Sequence, residues 1–195
     1  MRRIITLLVL AAVVYFAVCA VQVLTASRAP GAVAAAPRRP AVIVVSAGAE
    51  SPHGIGADLH ERLTHARELW LAHRAPRIVV CASTRAKAEA DKAWLVRRKV
   101  PAGDVSLVFA AELPGQLHLV AADLPYARHA LVVADGWQTL WVTKVAGWAG
   151  LTVVPSPVTP PDVSALGKAA DVLLQASAVA WGRIAGFGQT GFIAG

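Results

Sequence analysis

The sequence predicts an α/β fold: a three-layer arrangement around a mostly parallel sheet of about five strands, preceded by one transmembrane helix. Three observations lead there. Short β-branched runs such as Ala41–Val45, AVIVV, alternate with longer amphipathic stretches along most of the chain. Runs that are apolar at successive positions suit strands buried on both faces, as parallel strands between two helix layers are. Finally, Ile4–Leu24, IITLLVLAAVVYFAVCAVQVL, holds no charged residue; as a helix rising 1.5 Å per residue it spans roughly 30 Å, the thickness of a hydrocarbon core.

Residues 1–3 form a short basic amino terminus, and Ile4–Leu24 is the anchor. The apolar core of a cleaved signal peptide is shorter, about 7–15 residues. Ala34-Ala35-Ala36 offers small residues for signal-peptidase cleavage, the alternative fate of this segment. A lipidated Cys19 is disfavoured because Phe16-Ala17-Val18 lacks the small residue expected just before it. Arg2 and Arg3 precede the span and Arg28, Arg38 and Arg39 follow it, so the charge rule for orientation is nearly balanced. A short basic amino terminus that stays cytoplasmic makes this a single-pass inner (plasma) membrane protein with its domain extracytoplasmic. Residues 25–40, with two prolines before Arg38 and no apolar period, read as a tether.

The domain is expected over residues 41–185. After the first strand, Ala41–Val45, a Gly-rich loop leads to a helix starting at Asp58, with Glu61 as its capping-box partner. Leu59, Leu63, Ala66, Leu69 and Trp70 form the apolar stripe, and Ala75-Pro76 stops the helix. Arg77–Cys81 is the second strand. Ser83-Thr84 caps a helix running to about Lys99, and Val105–Phe109 is the third strand. A short helix follows at Gln116–Ala122, then the fourth strand Ala130–Ala134 and a helix over Trp137–Trp148. Leu151–Val154 is the fifth strand and Ser164–Ile184 the last helix, ahead of a Gly-rich tail at 186–195.

Charge excludes one function class. The chain carries +7, yet five of its 19 basic residues and none of its 12 acidic ones precede Ala41. The domain is therefore 14 minus 12, or +2, with no basic-aromatic surface for nucleic acid. Cys19 and Cys81 lie too far apart in kind, one in the span and one in the domain, to pair.

Several motifs dissolve on inspection. Gly54-Ile55-Gly56 lacks the third glycine of a dinucleotide fingerprint and lies too far beyond its strand. His60 and His65 are one residue too far apart for a helical zinc pair, since their imidazoles diverge by about 140°. They read as solvated, and no metal site is expected. Cys81 ends a buried strand and reads as a structural thiol. Trp137, Trp141 and Trp148 fall on one helical stripe, which suits packing against the sheet or the last helix. Glu89, on the second helix of the domain, and Glu112, after the third strand, are carboxylates able to face one crevice. Asp135-Gly136 closes the fourth strand, where ligands of parallel sheets bind.

Residues 41–158 resemble the YdcF-like family, which includes the SanA- and ElyC-like envelope proteins. The resemblance runs through AVIVVSAGAES, ERLTHARELWLAHRAPRIVVCAS, AEADKAWLVRRKVPAGDV and AGLTVVPSPV. It implies a Rossmann-like domain acting in cell-envelope biogenesis or barrier maintenance, with envelope-assembly proteins or a lipid-linked glycan as partners besides the bilayer. It also implies site roles for Gly48, Arg62, Ser83, Glu89 and Glu112, to which the strand-end position adds Asp135 as a ligand-binding candidate. Two departures stand out. Gln138 and Trp141 occupy positions where the family has a histidine and an arginine, and Asp135 replaces a serine. Losing an imidazole and a guanidinium removes a proton carrier and an anion clamp. The sequence thus points to a ligand-binding or scaffolding domain with a degenerate site. The alternative is an enzyme acting on a phosphorylated or lipid-linked glycan intermediate, with Glu89 and Asp135 as acid-base groups. A nucleotide-type ligand at the strand ends follows from fold analogy alone, and the sequence specifies no cofactor.

Overall fold

The computed structural model describes residues 2–27, 38–45, 56–159 and 165–189. Gly48, the Gly54-Ile55 pair, Ala34–Ala36, Ser164 and the end of the Gly-rich tail lie outside the described residues. Helix α1 (Arg2–Ser27) is followed by β1 (Ala41–Val45), α2 (Ala57–Leu71), β2 (Ile78–Ala82), α3 (Arg85–Arg97), β3 (Val105–Phe109), α4 (Leu113–Asp123), β4 (His129–Asp135), α5 (Thr139–Trp148), β5 (Thr152–Val158) and α6 (Ala165–Ala185). The five strands form one all-parallel sheet in the order β3-β2-β1-β4-β5. This is the Rossmann-like α/β arrangement that the alternating pattern predicts.

Strand alternation divides the core in two. Val42, Val44, Ile78, Val80, Leu131 and Val133 face Leu63, Ala66 and Leu69 of α2 and Trp94 and Leu95 of α3. Ala41, Ile43, Val45, Val79, Cys81, Ala130, Val132 and Ala134 face the other way. They meet Leu117 and Val120 of α4, Trp141, Val142 and Val145 of α5, and Ala176 and Val179 of α6. Cys19 and Val23 of α1 are fully buried in that second cluster. The carboxyl half of the apolar helix is therefore part of the domain's core. The first residues of the expected tether, Thr25–Ser27, are its last turn, while the far end of the tether is pinned to the turn after α2 by Arg39 N–H donating to Arg74 O (2.7 Å).

Three boundaries depart from expectation. The helix after β1 has Gly56, not Asp58, at its N-cap, and no side chain caps it. Asp58 lies within the first turn, so the capping box with Glu61 does not form. Helix α4 begins at Leu113, with Pro114 in its first turn, where a missing N–H costs no helical bond. Strand β5 runs through Pro155 and Pro157 to Val158, past the expected end at Val154. It is an edge strand, and prolines two residues apart place both missing N–H groups on the same, outer side. By contrast Thr84 caps α3 as expected, its hydroxyl accepting from Lys87 N–H (3.4 Å).

Candidate functional site

The sheet reverses its winding between β1 and β4, which are hydrogen-bonded neighbours although β2, β3 and three helices separate them in sequence. The carboxyl ends of two such strands border the crevice where open α/β sheets bind ligands. Four polar side chains, Asp135, Ser156, Arg62 and His65, are delivered there by periodicity. Leu131, Val133 and Asp135 share the face of β4 turned to α2, and Ser156 of β5 pairs in register with Val133. On α2, Arg62 and His65 are i, i+3 neighbours and so address the same surface.

Arg62 and Asp135 fill the crevice with a two-pronged ion pair. Arg62 Nε lies 3.0 Å from Asp135 Oδ1, and Nη2 donates to Oδ2 at 3.2 Å. The remaining prong, Nη1, donates to the carbonyl of Val45 at the end of β1. Arg62 is 1% exposed and Asp135 3%. The planar fork of arginine suits this double contact, and it ties α2, β1 and β4 together at one point. Burial pushes the Asp135 carboxyl up to about 6; the Arg62 charge opposes that rise, while the Asp58 and Asp171 carboxylates add to it. Three carboxylates thus share this region with a guanidinium already engaged, a poor setting for phosphate.

Beside the pair runs a second polar chain. His65 Nε2 lies 2.8 Å from Ser156 Oγ, and His65 Nδ1 lies 3.5 Å from Glu68 Oε2. A carboxylate only accepts, so the ring proton belongs on Nδ1 and the serine hydroxyl donates to Nε2. The order Ser-His-Glu is that of a hydrolase triad, but Ser156 is 1% exposed. An acyl group cannot reach its oxygen, and the chain acts as a tie between α2 and the edge strand. His65 is therefore not solvated as its sequence position suggests. Burial lowers its pKa from 6.5, with Glu68 acting in the opposite direction. A histidine whose folded value is depressed supplies stability that is complete above 6.5 and is lost as pH falls below it. We expect His65→Gln to flatten this loss: the melting-temperature gap between wild type and variant should narrow or reverse as pH drops from 7 to 5. A gap independent of pH would remove the linkage.

The other site residues read from sequence lie elsewhere. Glu89 is exposed on α3, where its carboxylate accepts from Arg85 Nε at 3.1 Å. Glu112 is exposed at the N-cap of α4 and makes no capping bond. Ser83 Oγ accepts from Lys87 Nζ (3.2 Å) after β2. Of the six, Arg62 and Asp135 are brought together, and Gly48 lies outside the described residues. His60 is exposed and stands edge-on to Trp94 at 5.1 Å between ring centres. No cluster of metal-ligating side chains occurs among the described residues. Cys81 is fully buried, and desolvation pushes its thiol up to about 12, which makes it inert.

The turn after Asp135 is packed against α1 and α6. Gly136–Gln138 form one 3-10 turn, and Gly136 lies directly under the end of α1: a Cβ on it would stand 3.3 Å from Ser27 O. Trp141 is buried against Phe187, with ring centres 5.5 Å apart, and closes over Gly182 of α6. Trp148, at the end of the same stripe, remains half exposed. Comparison with protein-family models, curated proteins and solved structures finds no match to this chain.

Sequence reading missed His65, Ser156, Asp58 and Asp171. A signal for His65 was present: it lies one helical turn after Arg62, on the face that Arg62 marks as pointing to the strand ends. Ser156 was hidden by its flanking prolines, which ended the strand too early.

Proposed function

We propose that this protein is a membrane-anchored, extracytoplasmic binding or scaffolding domain of the YdcF-like type, serving cell-envelope biogenesis or barrier maintenance. The observation that supports it best is the Arg62–Asp135–Val45 arrangement at the reversal of strand order. The groups a Rossmann-like crevice would turn toward a ligand are bonded to one another, and Ser27 closes over the adjacent turn. The envelope role and its assembly-protein or lipid-linked glycan partners rest on the sequence resemblance. Anchorage rests on the 26-residue apolar helix α1, and the burial of Cys19 and Val23 favours its retention over removal as a signal sequence.

The test removes the chemistry without leaving a buried orphan charge. The paired change Arg62→Met with Asp135→Leu, and separately Glu89→Gln, should retain complementation of an envelope-defect phenotype. Loss of complementation by a folded, membrane-inserted variant would turn the assignment to catalysis. A reporter fused after Gly195 should be active outside the cytoplasm; cytoplasmic activity would overturn the orientation. One observation favours the enzyme reading, in which a phosphorylated or lipid-linked glycan intermediate is the substrate: Asp135, held near 6, sits in the range where a carboxyl exchanges protons at neutral pH.

A further inference from the structure

Helix α6 carries apolar side chains on two sides, one buried and one exposed, with Asp171, Gln175 and Arg183 outside the exposed one. Ala176, Ala178 and Val179 are buried against the sheet and α1. At 100° per residue, Leu173, Ile184, Trp181 and Leu174 fall within an arc of about 100° on another side. All four are exposed, Trp181 by 49% and Ile184 by 74%. The outward side of a surface helix normally carries charge, whereas this exposed arc carries none, and a contiguous exposed apolar face marks a contact surface. Ser177 falls within the same arc, and its hydroxyl is turned back to donate to Leu173 O at 2.9 Å.

A second observation concerns length. Ile4, Ile5, Leu7, Leu8, Val9, Leu10, Val13 and Val14 all stand exposed on α1. That clear stretch is roughly 17 Å long, about half of a hydrocarbon core. From Tyr15 onward α1 is docked on α6. Tyr15 Oη donates to Ala180 O at 3.5 Å, Arg183 Nη1 reaches Cys19 Sγ at 3.6 Å, and Nη2 donates to Gln22 Oε1 at 2.7 Å. For Ile4–Leu24 to cross a bilayer in this arrangement, the docked half must enter it and α6 must enter beside it. Ala180 lies about 20° and Arg183 about 80° from the Leu173 edge of the arc, so α1 packs on that side of α6 and not opposite the arc. The apolar surfaces of the two helices are neighbours.

We infer that the outer face of α6 is a second bilayer-contact surface, with Leu173, Leu174, Trp181 and Ile184 set against acyl chains beside α1. This rests on reading α1 as an anchor. The occupant is lipid because the face adjoins a helix of membrane length. Its tryptophan suits the interface, where an apolar ring body and a polar N–H are both satisfied. The charges flanking the arc lie outside it: Asp171 about 60° beyond Leu174, and Arg183 about 80° before Leu173, the latter engaged by Cys19 and Gln22 from a long apolar stem.

The test uses the full chain reconstituted in phosphatidylcholine–phosphatidylglycerol vesicles whose acyl chains carry bromine, which quenches indole emission on contact. Trp181→Phe should remove a large share of the quenchable emission, roughly half, since interfacial tryptophans lie within reach of the acyl chains. Trp94→Phe, in the other core cluster, should remove none. Undiminished quenching in Trp181→Phe, with the chain still floating with the vesicles, would overturn the α6 surface and leave the anchor standing. A dimer cross-linked through Ile184→Cys, with Trp181 unquenched, would assign the face to a second copy and overturn the proposal. Failure of the chain to float with vesicles would overturn both the surface and the anchor.

Discussion

Replacing Asp135 with asparagine is expected to destabilise the domain by about 3–5 kcal/mol, the usual consequence of stranding one member of a buried ion pair. In a domain of this size that corresponds to a fall in melting temperature of roughly 10 °C. The reciprocal change, Arg62→Met, should cost less. A carboxyl left alone can take up a proton, and Asp135 already sits near 6 with Arg62 holding it down. A guanidinium left alone has no such escape, because it does not deprotonate. The combined change Arg62→Met with Asp135→Leu should recover most of the loss, since an apolar pair of similar bulk avoids desolvating two charges. The sign with pH follows from the raised carboxyl. Its contribution is complete below about 4 and is lost as pH rises through about 6, so the double variant should gain on wild type over that interval. Urea titrations at pH 4 and pH 7 read all of this. Equal losses from Asp135→Asn and Arg62→Met at both pH values would show that the two groups do not act as a pair.

The second large effect concerns the docked half of α1. Val23 is fully buried in the core cluster that contains Trp141, Ala176 and Val179. Val23→Asp should release the helix end, because leaving an unpaired carboxylate in that cluster costs several kcal/mol. Gly136 would then lose its cover by Ser27, and the turn Gly136–Gln138 its support. Val21, on the outer side of the same helix, is 60% exposed, so Val21→Asp breaks no contact with the core and should cost far less stability in detergent than Val23→Asp. Unfolding in micelles, together with proteolysis of the segment between α1 and β1, separates the two. Matching behaviour of Val21→Asp and Val23→Asp would show that the helix does not dock.

The fold was legible because its signals are local. Ala41–Val45 and Val105–Phe109 coincide with their strands, and the five-strand parallel sheet follows from how such runs alternate with helices. Errors came where tertiary position overrides local preference. Pro155 and Pro157 argue against a strand unless it is known to be an edge, and edge position is a property of the whole sheet. Thr25–Ser27 reads as tether by composition, but the packing of Cys19 and Val23 extends the helix through it. The site was half legible. Asp135 was marked by its place at a strand end, and Arg62 by the resemblance. That the two bond to each other depends on the β1–β4 adjacency, which no short window of sequence contains. Glu89 and Glu112 misled for the same reason: a carboxylate near a strand end in sequence can face solvent in space.

The two prolines of β5 have a consequence for assembly. A parallel sheet ends in rows of unpaired backbone groups, and such an edge invites a strand from another molecule. Along β5 the outward N–H groups at 155 and 157 do not exist, so a neighbouring chain meets acceptors there without their matching donors and only Val153 still offers an outward N–H. Growth of the sheet past that side is disfavoured, and copies of the domain can crowd together without fusing into a continuous ribbon through β5.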